Sequence, residues 1–289
     1  MGTSTSSTGA GAGVSFDPPW LNDIESNINT NYSDLILAPS SNPATAQETQ
    51  NTVEQISTSI DANIPTPQFA PQSRYKMARS ALTAFVHSGS DSDLKRGLAS
   101  FIKKGMGGSK RASHRLQTTA VVASALGGLL AVSREGTDAE INTWVASIKE
   151  RDLSARDVAL EVVNKLIPLG GSIDEESAKY AISEAIINLY EEYSNVDIFN
   201  LSDEQIASVM AYTIAMDVYN HAQLELGRSF EKLRYSSKVI QSRLGQAFNF
   251  IKAIVNQSMD KVLTGSIRMT MREIANSALE TTLAVFEEL

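Results

Sequence analysis

The sequence predicts an all-α protein, a helical bundle preceded by a long, largely disordered N-terminal tail, and three observations predict it. From Arg74 onward apolar residues recur at three- and four-residue spacings, with no stretch of period-two alternation. Seven of the eight prolines fall within residues 1–73, among dense Ser, Thr and Asn. Such a segment buries too little apolar area to offset the entropy of ordering it. The chain nevertheless has 289 residues and 42% hydrophobic content, which supports a good-sized core.

Taken in order, residues 1–73 form the predicted tail. Small apolar clusters interrupt it: Pro18-Pro19-Trp20-Leu21, Leu35-Ile36-Leu37 and Phe69. These read as short docking elements or as hydrophobes resting on the body, and a weak helix fits Thr45 to Ile60. The predicted body covers residues 74–289. Ala78, Ala81, Leu82, Phe85 and Val86 make a first helical stripe ended by His87-Ser88-Gly89. Leu94, Leu98, Phe101 and Ile102 make a second, opened by Asp91 or Ser92 and closed by Gly105. A helix of small residues is expected from about Ser109 to Ser133. Ser154 with Asp157, Ser172 with Glu175, and Ser202 with Gln205 mark three further starts, each a capping hydroxyl with a reciprocating group three residues on. Within the helix expected at about residues 203–226, Ile206 to Tyr219 is apolar almost all round, so this helix belongs at the centre of the bundle. Two amphipathic helices, roughly Ser236 to Leu263 and Ser266 to Glu288, complete the chain.

Charge divides the sequence into zones. Residues 1–73 hold seven acidic groups and no Lys or Arg, whereas residues 74–115 hold ten basic groups against Asp91 and Asp93. The whole chain has net charge −8 and a pI near 5.0, which argues against DNA binding as its main role. Lys95, Arg96, Lys103 and Lys104 are candidate partner contacts. Their setting fits a solvated helix face, an acidic protein, the chain's own acidic tail, or nucleic acid bound through counterion release.

Little points to catalysis. There is no cysteine, and His87, His114 and His221 are far apart without an HExxH spacing, so neither a metal nor another cofactor is expected. Gly105-Met106-Gly107-Gly108 lacks the GxxxxGK[ST] pattern and fits a hinge better than a phosphate cradle. Glu191-Glu192 and Glu287-Glu288 read as solvated helix faces or ends, and Asp217 as a satisfied polar group within the apolar helix. The expectation is a non-enzyme with no catalytic residues. No secretory signal is evident, and Leu116 to Val132, the longest apolar stretch, is short and polar for a membrane span. A cytoplasmic protein without membrane attachment follows.

The amino terminus is the strongest site. Met1 precedes Gly2, the usual context for Met removal, and residues 2–13 are all Gly, Ala, Ser or Thr. A terminal α-amine has a reference pKa of about 7.7–8.0, so an appreciable fraction is nucleophilic near neutrality. Glycine lacks a Cβ, and such an end can thread a narrow active site on another protein. Met1-Gly2-Thr3-Ser4-Thr5-Ser6 also satisfies a short myristoylation pattern, but no neighbouring Lys or Arg supplies a second membrane signal.

Five motifs in sequence order carry a family resemblance: Met1-Gly2-Thr3-Ser4, Pro18-Pro19-Trp20-Leu21, Asp93-Leu94-x-Arg96-Gly97-Leu98, Gly105-x-Gly107-Gly108 and Asn200-Leu201-Ser202-Asp203-Glu204-Gln205. With Asp217-Val218 and Leu226-Gly227-Arg228, the chain resembles the QatB family of the bacterial Qat anti-phage defence system. Residues 22–73 and most of the chain after Arg228 show no matching pattern. The resemblance implies three partners: a P-loop ATPase, a 7-cyano-7-deazaguanine-synthase-like protein and a TatD-like nuclease. It also implies that the synthase-like partner joins a deazaguanine to Gly2 through an amide. Thr3, Ser4 and the other small residues as far as Gly13 would keep the approach narrow, while Trp20 with Leu21, behind Pro18 and Pro19, would anchor the tail on the synthase-like partner. An unmodified adaptor bridging ATPase and nuclease, or a nucleic-acid-binding module acting through residues 74–115, are the alternatives.

Overall fold

The computed structural model describes residues 73–151, 153–167, 173–193, 196–226, 235–265 and 269–289. They form ten α-helices, one π-helical segment and no strand. The helices are α1 (Lys76–Ser88), α2 (Asp91–Ser100), α3 (Ser109–Arg115), α4 (Gln117–Glu135), α5 (Ala139–Lys149), α6 (Ala155–Leu166), α7 (Ile173–Glu192), α8 (Asp203–Leu226), α9 (Ser237–Gly265) and α10 (Met271–Glu288). The all-helical body is as expected. The expected helix at Thr45 to Ile60 and the cap at Ser172 lie outside the described residues.

Local chemistry fixes the helix ends. Gly89 and Gly136 terminate α1 and α4 in the left-handed conformation. Ser154 Oγ accepts from Asp157 N–H at the start of α6. At the start of α8, Ser202 Oγ accepts from Gln205 N–H while Gln205 Oε1 accepts from Ser202 N–H, a reciprocal capping box.

The layers follow from which helices lack a polar face. Every residue from Thr118 to Val132 in α4 is buried. From Ile206 to Val218 in α8 only Ser208 is exposed. These two helices pack together; α10 packs on α4 and α9 and also touches α8, while α7 and α9 flank α8. The α4–α8 contact is close because Gly127 faces Met210, where an added Cβ would collide with the thioether. A hairpin of α1 and α2 packs on α9 and α10, and α6 packs outside α7.

Several elements differ from expectation. The helix expected over Ser109 to Ser133 is two helices, bent by 58° at buried Leu116, so α3 lies on α10 while α4 packs on both α8 and α10. The second helix does not run to Gly105 as α-helix. After Ser100 the chain widens into a π-helical turn, Phe101–Met106, whose register buries Phe101, Ile102 and Met106 together. Helix α5 was not anticipated; Asp138 caps it by accepting from Ile141 N–H at 2.9 Å. The last helix starts at Met271, after the capping box of Thr270 and Glu273, rather than at Ser266. Among the described residues no single helix is long and apolar enough to cross a membrane; the bent pair α3–α4 passes only jointly, and α4 is core.

Candidate functional site

Gly2, Thr3, Ser4, Pro18, Pro19, Trp20 and Leu21 lie outside the described residues. The basic candidates lie inside them, and all four are exposed. Lys95 and Arg96 project from α2, and Lys103 and Lys104 from the π-helical turn. They do not converge on one internal partner. Arg96 binds Asp93 at 2.6 Å, Lys95 Nζ lies 5.9 Å from the Phe250 ring on α9, and Lys103 acts on Glu287 of α10.

The glycine-rich turn has an anion partner within the chain. Gly107 and Gly108 adopt φ of 87° and 98°, conformations that side chains disfavour. Their turn aims the backbone N–H of Ser109 at Glu287 Oε2, 2.9 Å away. Hydrogen bonds from the Ser109 hydroxyl and backbone, with Lys103 nearby, hold the Glu287 carboxyl below its ordinary range. The turn thus works as a latch onto the last helix rather than as a free hinge, and Glu287 is not merely a solvated helix end.

Asp217 is the most constrained ionisable group. It is 2% exposed and receives Thr119 Oγ1 at 2.6 Å from α4 and Ser177 Oγ at 2.5 Å from α7, while His221 Nε2 lies 3.6 Å away one turn along α8. Burial alone would raise its pKa; the charge of His221 and the hydrogen bonds from His221, Ser177 and Thr119 outweigh it and lower the value. Both oxygens are engaged and the group is buried, so this carboxylate ties three helices together. Sequence reading identified Asp217 as a satisfied core group. It missed the partners, because Thr119 and Ser177 are ordinary small residues until the fold brings them together.

A second constellation joins α8 to α9. Phe248 makes edge contacts with Tyr212 and Tyr219 at centroid distances of 5.4 and 5.6 Å, and Lys252 Nζ lies 4.6 Å over the Tyr212 ring. Burial pushes both phenols up to about 12, with Glu184, Glu191 and Tyr180 adding to Tyr212, and Tyr180 to Tyr219. They remain neutral packing groups at any physiological pH. Among the described residues no cluster of His, Asp and Glu is arranged to hold a metal ion.

A family model described as "Qat anti-phage system associated protein QatB" matches residues 107–288, well over half of the chain. The match runs from the Gly107-Gly108 latch through α10, and so includes the region after Arg228 where sequence reading found no pattern. No curated protein and no solved structure matches the chain.

Proposed function

The chain belongs to the QatB family and is a component of a Qat anti-phage defence system, and from that premise we propose that it is a non-catalytic, cytoplasmic component whose Gly2 accepts a deazaguanine. The observation that carries this reading is the first thirteen residues. After Met1 they present Gly2 followed only by Gly, Ala, Ser and Thr. The described body supports a scaffolding role, since its one fully buried Asp is committed to structural hydrogen bonds.

In the proposed reaction a 7-cyano-7-deazaguanine-synthase-like partner activates a deazaguanine carboxylate with ATP. The unprotonated Gly2 amine attacks the activated carbonyl carbon, a C–N bond forms, the activating group leaves with the carboxylate oxygen, and the amine loses a proton. Ammonia performs the same substitution in the free-base reaction, and a glycine amine is the least hindered substituted equivalent. A P-loop ATPase and a TatD-like nuclease complete the proposed assembly. The exposed cations Lys95, Arg96, Lys103 and Lys104 are offered to an acidic protein surface, that of a partner or of the chain's own tail, rather than to nucleic acid.

Intact mass, measured after expression with and without the synthase-like partner, tests the reading. The expected result is a gain of one deazaguanine acyl group, localised to the N-terminal peptide and dependent on the partner. An unchanged mass with a free amine in both samples overturns it and leaves an unmodified adaptor.

A further inference from the structure

Helix α9 begins with a stretch that the rest of the described body leaves unburied. None of the residues from Ser237 to Gln246 is buried, although the helix continues into a core-facing stripe at Ala247, Ile251 and Val255. Ile240 and Leu244 lie on the same face at helical spacing, so the apolar stripe extends beyond what covers it. Beneath Leu244 is a half-open crevice of about 30 Å³ between α1–α2 and α8–α9, lined mostly by apolar residues such as Phe85, Leu98, Ala222 and Ala247, with Tyr219 and Gln223. Two cations flank this surface. Lys95 reaches over Phe250, next to Ile251, and Arg243 lies against Gly89, next to Leu244. Neither has a carboxylate within ion-pair distance among the described residues, and the Arg243 Nε is buried without a hydrogen-bond partner.

The complementary segment is in the same chain. Residues 17–25 read Asp-Pro-Pro-Trp-Leu-Asn-Asp-Ile-Glu and hold three of the seven acids of residues 1–73, with Trp20, Leu21 and Ile24 between them. An apolar centre flanked by acids matches an apolar stripe flanked by cations. Reach is no obstacle: Glu25 and Ser73 are 48 residues apart in sequence, and a flexible tether of that length would span roughly 35–40 Å root-mean-square.

We propose that residues 17–25 dock on the uncovered start of α9, with Trp20 or Leu21 over the crevice at Leu244 and Ala247 and the acidic residues beside Lys95 and Arg243. The docked segment would fix the tail about 15 residues from Gly2, a leash of at most ~50 Å. This inference goes beyond the acceptor reading and does not depend on Gly2 being modified.

Trp20 reports the docking directly, because the chain has only two tryptophans and the other is Trp144. In full-length Trp144→Phe, Trp20 should emit to the blue of a free peptide of residues 15–27 and be quenched by acrylamide at least about twofold less efficiently. Leu244→Glu, on a half-exposed position, should return both values to those of the peptide while far-UV circular dichroism stays unchanged. Should Trp144→Phe disturb the fold, the difference between the unsubstituted chain and Trp20→Phe isolates the same signal. Peptide-like emission in the full-length chain overturns the proposal, as does protection that survives Leu244→Glu. Protection that disappears on dilution also overturns it, since the segment would then be seated on a second copy.

Discussion

Removing the Asp217 side chain should be among the most damaging single substitutions in the protein. In Asp217→Ala the hydroxyls of Thr119 and Ser177 lose the acceptor that each reaches at 2.6 and 2.5 Å, and His221 loses its neighbouring charge. A buried polar group left unsatisfied costs about 1–3 kcal/mol, and breaking a buried charged cluster from one side costs about 3–5 kcal/mol. We expect a loss of about 4 kcal/mol, or roughly 10 °C in melting temperature for a domain of this size. Asp217→Asn should lose about half as much, because the amide keeps one acceptor oxygen and a hydroxyl can rotate to accept from its NH₂. Urea denaturation followed by circular dichroism measures both. The pH dependence adds a second constraint. The folded carboxyl is held below its ordinary value, so its stabilising contribution is complete above pH about 4 and is lost as the pH falls through the lowered folded value. The stability curves of the unsubstituted chain and Asp217→Asn should therefore converge on acidification. A cost below about 1 kcal/mol for Asp217→Ala, or parallel curves down to pH about 2.5, would refute the role given to this cluster.

Two further substitutions probe the packing. Gly127→Val should destabilise by about 1–3 kcal/mol, since it forces Met210 aside where α4 and α8 touch, and Met210→Ala in the same chain should recover part of the loss in a thermal melt. Glu287→Ala should cost only about 0.5–1 kcal/mol, the value of a partly exposed helix cap, yet hydrogen exchange at Ser109 should accelerate selectively.

Sequence periodicity was enough to define the body as helical and to place α8 centrally, because a helix apolar on nearly every face has nowhere else to go. The caps at Ser154 and Ser202 were equally legible, since each depends on residues three apart. Thr270 and Glu273 carry the same signal at the start of α10, and Asp138 marks the start of α5 as a cap without a reciprocating partner. The bend at Leu116 was hidden for a different reason. No proline or glycine marks it, and it exists because α3 and α4 pack on different partners. The latch between Ser109 and Glu287 and the Asp217 cluster join residues 178 and 98 apart, or 40 in the case of Ser177, distances over which spacing carries no information. The candidate acceptor, Gly2, was readable only as chemistry and family likeness.

The contact between Ser109 and Glu287 has a topological consequence. The residues that match the QatB family begin at Gly107 and end at Glu288, and the latch joins Ser109 to Glu287 just inside those two limits. The family segment is therefore nearly a closed ring, with α1–α2 attached as an annex at the seam. Joining its ends with a short linker would close that ring only by detaching α1–α2, whose Phe85, Leu94 and Leu98 belong to the same core.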